Sequence, residues 1–233
     1  MYVKQQSSFL SILEEALYYK DYKKIKDIFE QLTNEEKSKA CEDFIKFKNQ
    51  ICKNADKAQK EFLITVANIL NPFYSSQEAK RLASLPEQQA RKETGKYNYH
   101  TNNCRHFVFN LSKKLYEGLI EPKDLDWKKT KKTSNPQISR GKEKERPIHY
   151  DEVYRAILSK DNLSLQNFEE GDIIWIKRKN GTYHVGIVVK FDENNFEVVD
   201  FTGKVNRKSI KEFTKNTIEL KIFRIKENNK ESF

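Results

Sequence analysis

The change of hydrophobic period along the chain constrains its fold more than any other feature. Up to about residue 92, apolar residues recur at intervals of three and four, which is the spacing of amphipathic helices. Beyond about residue 172, they form short runs rich in β-branched and aromatic residues, separated by turn residues. Because the helices come first and the strands follow in a meander, we expect an α+β fold and not a βαβ fold.

The N-terminal part, residues 1–94, is predicted to be a helical domain. Its helical faces are formed by Phe9, Leu10, Leu13, Leu17, Ile25, Ile28, Phe29, Leu32, Phe44, Ile45, Phe47, Ile51, Phe62, Leu63, Val66, Ile69 and Leu70. A helix start is indicated at Thr33-Asn34-Glu35-Glu36, where a capping residue precedes a glutamate. The last apolar face is expected to end at Asn71-Pro72, and a polar helix is expected to follow over residues 76–93.

The C-terminal part, residues 95–233, is predicted to begin with a helix that runs from Asn103 or Cys104 to about Gly118. A short helix is expected over residues 151–158. The predicted strands then cover residues 172–177, 183–189, 196–201 and 217–225. The dipeptide Asn180-Gly181 predicts a tight hairpin turn between the first two strands.

A basic insertion is predicted near residues 123–146, within a chain whose formal charge is +10. The insertion holds nine Lys or Arg and four Asp or Glu, so it carries +5 of that charge. Such a segment is either a solvated linker or a flap that contacts an anionic polymer or a membrane surface. Lysine outnumbers arginine and no arginine-aromatic repeat is present, which disfavours nucleic acid as a partner.

The sequence also bears on location and cofactors. No apolar run approaches the roughly 20 residues of a membrane helix, and Glu14 and Glu15 interrupt the only candidate for a secretion signal. We therefore expect a protein that is cytoplasmic as synthesised, with export by a signal-independent route left open. The three cysteines lack CxxC spacing, and no HExxH motif or glycine-rich nucleotide loop is present, so no cofactor or metal is predicted.

Cys104 is the residue that most suggests chemistry. It follows the polar loop YNYHTNN, at the point where a helix is predicted to begin. The unpaired N–H groups and the dipole at a helix N-terminus lower the pKa of a thiol, and a nearby imidazole lowers it further. Such a cysteine suits nucleophilic catalysis, whereas Cys41 and Cys52 lie among helical residues and are expected to be buried apolar groups.

His184 and Asp200 are the matching candidates for a base and its orienting group. His184 lies within the aliphatic strand YHVGIVV, where an imidazole is costly unless it is paired or used. Asp200 is the polar residue between apolar neighbours in the next predicted strand, FEVVDF. On an adjacent antiparallel strand, its side chain can lie on the same side of the sheet as His184.

The order of these segments, NNCRHFV, GDIIWI, HVGIVV and then a polar residue in the following strand, resembles the NlpC-type peptidases. It also resembles the related cysteine, histidine-dependent amidohydrolases/peptidases of the papain-like superfamily. The resemblance covers about residues 95–225 and implies a papain-like domain, in which a nucleophile helix packs on an antiparallel sheet. It implies Cys104 as nucleophile, His184 as general base and Asp200 as orienting residue of a cysteine peptidase or amidase.

Residues around this set are the candidates for substrate binding. Tyr97 resembles the tyrosine that these families place before the nucleophile, and His100 lies in the same loop. Asn103, Trp175 and Tyr183 complete the predicted substrate contacts. The resemblance implies peptidoglycan peptide, or another peptide or isopeptide, as substrate of an effector or lysin.

Two other functions stay open at this point. The segment NCRHFV also resembles the NCxHFV segment of lecithin:retinol acyltransferase-like proteins, which implies a lipid acyltransferase or thioesterase-like enzyme. In those proteins the histidine strand precedes the cysteine, and here it follows. A non-catalytic module that binds a protein partner through the helical domain is the alternative of another class.

Overall fold

The structure is a computed structural model that describes residues 8–98, 102–120, 150–157, 167–190 and 195–225. The helices in these ranges are α1 (Phe9–Tyr19), α2 (Tyr22–Gln31), α3 (Asn34–Ile51), α4 (Lys57–Ser84), α5 (Glu87–Thr94), α6 (Cys104–Leu111), α7 (Lys113–Tyr116) and α8 (Ile210–Phe213). The strands are β1 (Tyr150–Ala156), β2 (Ile173–Arg178), β3 (Tyr183–Lys190), β4 (Phe196–Phe201), β5 (Val205–Ser209) and β6 (Thr217–Ile225). The basic insertion at 123–146 lies outside the described residues.

The predicted α+β fold is confirmed. The strands form one antiparallel sheet in the order β1-β6-β2-β3-β4-β5, and the helical elements precede most of it in the chain. The predicted start of α3 is also confirmed, because the Thr33 hydroxyl accepts the Glu36 N–H and the Glu36 carboxylate accepts the Thr33 N–H. Such a capping box satisfies two N–H groups that have no partner within the helix.

The predicted helix end at Asn71-Pro72 is wrong, since α4 continues through Pro72 to Ser84. A proline inside a helix removes a hydrogen bond and costs about 3 kcal/mol. Next to the proline the buried side chains are paired, because the Tyr116 hydroxyl donates to Asn68 Oδ1 (2.7 Å) and accepts from Asn71 Nδ2 (3.3 Å). The polar helix expected over 76–93 is accordingly the end of α4 followed by α5.

The predicted helix over residues 151–158 is also wrong. Residues 151–156 belong to the edge strand β1, which pairs with β6 so that Tyr154 lies opposite Ile222 and Ala156 opposite Leu220. Residue 158 lies outside the described residues. Pairing with an apolar strand outweighs the weak local preference of so short a segment. Two further elements were not predicted from the sequence: β5, whose residues are mostly polar, and α8, which is only four residues long.

Helix α4 connects the helical layer with the sheet. Its N-terminal half packs with α1, α2 and α3, while Ala79 and Leu82 near its C-terminal end belong to the core beneath β3 and β4. Conversely, Leu115 and Tyr116 of α7 pack among the N-terminal helices. The division into domains at residue 94 stays a prediction, and the core crosses that point in both directions.

Gly171 is one contact point between α4 and the sheet. It lies just before β2 with φ +87°, and a Cβ placed there would come within 2.5 Å of the Pro72 backbone. The neighbouring Glu170 carboxylate accepts hydrogen bonds from Ser76 (2.5 Å) and Lys80 (2.8 Å) of α4.

No helix in the described parts of the chain combines the length and the apolar content that a bilayer span requires.

Gly171→Ala is expected to destabilise the fold more than Gly181→Ala. Both glycines have a left-handed φ, +87° and +79°, so both substitutions incur the backbone strain of about 1–2 kcal/mol. A Cβ at Gly181 has no neighbour within 4 Å, so only Gly171→Ala adds a clash, which costs about 1–3 kcal/mol more. Urea unfolding of both variants measures the difference, and equal losses would contradict the contact with Pro72.

Candidate active site

A short loop sets the position of Cys104. The backbones of Asn98 and Asn102 exchange two hydrogen bonds (2.7 and 2.8 Å). The Asn102 side-chain amide donates to the carbonyls of Thr94 (2.8 Å) and Lys96 (3.0 Å), which fastens the loop to the end of α5. Asn102 is therefore a structural residue of the site that the sequence analysis missed, because a lone Asn in a polar loop carries no distinctive signal.

The predicted helix start at Asn103 or Cys104 is confirmed, with Cys104 as the first residue of α6. Asn103 Oδ1 accepts the N–H groups of Arg105 (2.9 Å) and His106 (3.3 Å), and the His106 ring also contacts it. The Asn103 carbonyl accepts the N–H of Phe107. This cap leaves the Cys104 N–H as the first-turn donor that can face a substrate.

His184 and Asp200 lie on neighbouring strands, as predicted. Asp200 on β4 is opposite Gly186 on β3, so its side chain shares a side of the sheet with His184, two residues away. His184 Nε2 lies 3.2 Å from Asp200 Oδ2, at ion-pair distance but without the alignment of a full hydrogen bond. Both side chains are buried, and Asp200 has no exposed surface.

The Cys104 thiol and the His184 side chain lie close enough that each shifts the pKa of the other. Because Nε2 faces Asp200, Nδ1 is the ring nitrogen that is left for the thiol. Burial acts to raise the pKa of Cys104, but His184, the N–H of Val185 and the charge of Arg105 together hold it below its ordinary value. A thiol of this kind is ionised in a larger fraction of molecules near neutral pH.

The pKa values of the other two groups, His184 and Asp200, shift in opposite directions. Burial acts to lower the pKa of His184, but the contacts with Asp200 and Cys104 raise it above its ordinary value. Burial acts to raise the pKa of Asp200, but His184, Lys208 and Asn206 hold it below its ordinary value. The three groups therefore favour a thiolate, an imidazolium and a carboxylate together.

Asp200 has two further partners that the sequence analysis missed. The Lys208 ammonium lies 2.7 Å from Oδ2, and Asn206 Nδ2 donates to Oδ1 at 2.7 Å. Both residues belong to β5. Its sequence, VNRKS, is mostly polar and does not indicate a strand. The alternation of side chains along β5 places residues 206 and 208 on the same side of the sheet as Asp200.

Gly186 and Phe213 shape the other side of the histidine. The Phe213 ring centre is 5.4 Å from that of His184. A Cβ at Gly186 would come within 2.3 Å of a Val198 methyl carbon and 3.3 Å of the Phe213 ring. Because the glycine of the HVGI segment has no side chain, Phe213 at the end of α8 can pack closely on β3.

The residues predicted to contact the substrate differ in how far their side chains are exposed to solvent. Tyr97 is partly exposed and its ring packs on Phe201, next to Asp200, with centres 5.7 Å apart. Tyr183 is also partly exposed and stacks on Trp175 at 5.1 Å. Trp175 itself is buried, and Asn103 Oδ1 caps α6. A substrate role stays a prediction for all four residues.

Other predicted features have structural roles. Asp172 at the start of β2 forms a bidentate pair with Arg224 (2.8 and 2.9 Å) and accepts the N–H of Glu169, so it is occupied within the fold. Cys41 is buried, which raises its pKa to about 12. His100 lies outside the described residues. Within the described ranges, no group of three or more His, Cys, Asp or Glu is placed to hold a metal ion.

Comparison with known proteins gives no relative. No family model matches the chain, and no curated protein or solved structure is similar to it at a significant level. The likeness to NlpC-type and papain-like enzymes therefore stays a prediction that depends on the residues named above.

The alkylation rate of Cys104 is expected to depend on His184. Because the imidazole lowers the thiol pKa, the reactive thiolate should persist well below pH 8 and disappear only as the pH falls through the lowered pKa. In His184→Ala the pKa of Cys104 should rise, because burial then acts without the opposing imidazole, so alkylation at pH 6.5 should slow by about tenfold or more. Iodoacetamide labelling followed by mass spectrometry of each cysteine measures the rates.

Cys52 and Cys41 are internal controls in the same experiment. Their rates should not respond to His184→Ala, and buried Cys41 should label slowest. A Cys104 rate that follows an ordinary thiol titration in both proteins would contradict the activated pair.

Lys208→Met is expected to destabilise the fold by about 1–3 kcal/mol at pH 7, because it leaves the buried Asp200 carboxylate without its ammonium partner. The folded-state pKa of Asp200 is depressed, so this contribution is present above about pH 4 and is lost as the pH falls through the depressed value. The pKa of His184 should rise further, since Oδ2 then serves the imidazolium alone. Urea unfolding and NMR titration of the ring measure both effects.

Arg207→Met is the matched control for Lys208→Met. It removes one positive charge from the same strand, but Arg207 pairs with Glu197 and not with Asp200. If both variants shifted the pKa of His184 equally, the effect would be one of net charge and not of the Lys208–Asp200 contact.

Proposed function

We propose that this protein is a cysteine hydrolase that cleaves an amide bond through Cys104, His184 and Asp200. The observation that carries the proposal is the position of the His184 ring, between the thiol at the start of α6 and a fully buried carboxylate. A buried imidazole that contacts both a thiol and a carboxylate is the arrangement that nucleophilic catalysis by cysteine needs.

The chemistry follows from these positions. The Cys104 thiolate attacks the carbonyl carbon, and the Cys104 N–H donates to the oxygen that becomes negatively charged. The proton held by His184 passes to the leaving nitrogen as the C–N bond breaks, which leaves a thioester on Sγ and releases an amine. Water then attacks the thioester and gives a proton to His184, and the C–S bond breaks to yield the acid and the starting thiolate.

Asp200 acts in this scheme through His184. Its carboxylate holds the ring by Nε2, so that Nδ1 faces the thiol, and it stabilises the imidazolium that is present with the thiolate and is formed again when water attacks the thioester. Lys208 and Asn206 are positioning residues. They contact the Asp200 carboxylate and act on the reaction only through it.

The proposed substrates are peptidoglycan peptide, or another peptide or isopeptide. The resemblance of NNCRHFV, GDIIWI and HVGIVV to NlpC-type peptidases supports the first, and a formal charge of +10 suits an anionic polymer. An effector or lysin that reaches the cell wall by a signal-independent route fits both features.

Incubation with peptidoglycan fragments, isopeptides and phospholipids tests the proposal. Mass spectrometry should find an acyl adduct on Cys104 and amine release from an amide substrate, and Cys104→Ala should abolish both. Asp200→Asn should lower turnover by about 10²–10⁴-fold and leave the adduct site unchanged. Acylation from phospholipid instead would assign the site to acyl transfer, and no adduct from any donor would contradict catalysis.

A further inference from the structure

A cavity of about 620 Å³ lies at the end of the sheet, on the side of Asp200 that faces Lys208. Its wall is formed by the β2–β3 hairpin turn and the turn between α8 and β6. The charged and aromatic side chains that line it are Arg178, Lys179, Lys208, Lys215, Glu212 and Phe213. A volume of this size is typical of sites that hold a small organic molecule.

The two turns are fixed relative to one another. The Lys179 N–H donates to the Asn216 carbonyl at 2.9 Å, and Arg178 lies opposite Thr217 in the β2–β6 pairing. Asn216 has φ +60°, which allows the chain to reverse there into β6. The backbone positions that carry the cationic side chains are thus fixed around the same space.

The charges in the cavity are not balanced. Lys208 pairs with Asp200, but within the described residues no carboxylate pairs with Arg178, Lys179 or Lys215. Against these three cations stands the single carboxylate of Glu212, so two positive charges remain without a counter-charge. Arginine and lysine together suit an oxyanion, since arginine offers a planar pair of donors and lysine a point charge.

We propose that this cavity binds an organic anion with at least two negative charges, such as a phosphate ester or a polycarboxylate. The site is distinct from Cys104, which does not line it. Lys208 and Phe213 belong to both places, because Lys208 contacts Asp200 and Phe213 packs on His184. A bound anion would therefore lie close to the groups that hold the histidine.

Isothermal titration calorimetry of the full chain, at constant ionic strength, tests the site with inorganic pyrophosphate and with citrate as probes. Saturable 1:1 binding of at least one probe is expected. Arg178→Gln/Lys215→Gln should weaken it by at least tenfold, equivalent to about 1.4 kcal/mol. Glu212→Gln should tighten binding, because it removes the carboxylate that repels the anion.

Lys53→Gln/Lys60→Gln is the matched control, since it removes two exposed positive charges from the helical layer, away from the cavity. Its affinity should stay within twofold of the wild type. An equal loss in this control, or the absence of saturable binding of both probes, would overturn the proposal. Binding of pyrophosphate alone would assign a phosphate ligand, and binding of citrate alone a carboxylate ligand. None of these outcomes depends on the reactivity of Cys104.

Discussion

The fully buried carboxylate of Asp200 is the constraint on which the arrangement of the C-terminal sheet depends. An isolated charge without contact to water would cost several kcal/mol, so the fold must bring donors to both of its oxygens. The donors come from both sides, with His184 on β3 and with Asn206 and Lys208 on β5. The register of three neighbouring strands is therefore linked to the electrostatics of a single group.

The thiol reaches this group through the helical part of the chain. Helix α6 packs on β3 and β4, and the Phe107 ring stacks on Phe201, the residue after Asp200, at 5.6 Å. Asn102 and Asn103 then fix where the helix begins. The nucleophile and the base come from segments separated by a long stretch of sequence, yet each is held by contacts to the same strand, β4.

Much of this arrangement could be predicted from the sequence, because the relevant signals are local. The cap at Asn103, the hairpin at Asn180-Gly181 and the runs of β-branched and aromatic residues in β3 and β4 all depend on neighbouring residues. From these, the proximity of His184 and Asp200 follows by pairing two adjacent strands, whereas that of Cys104 is implied by the resemblance to papain-like enzymes.

The rest could not be predicted, because it depends on contacts between distant segments. Helix α4 continues through Pro72, where the Asn68 and Asn71 side chains pair with Tyr116 from another helix. The segment that forms β1 becomes a strand because β6 is beside it. The partnership of Lys208 with Asp200 requires β5, whose sequence has no apolar alternation to indicate a strand.

The passage of α4 from the helical layer to the sheet bears on how the chain folds. Cores that share one continuous helix lose contacts together when that helix unfolds, so they belong to a single cooperative unit. A fragment beginning at residue 95 would lack Ala79 and Leu82 from the core beneath β3 and β4. It would also expose Leu115 and Tyr116, which pack among the N-terminal helices. We therefore expect the residues of the candidate active site to be assembled only when the polypeptide keeps its helical half.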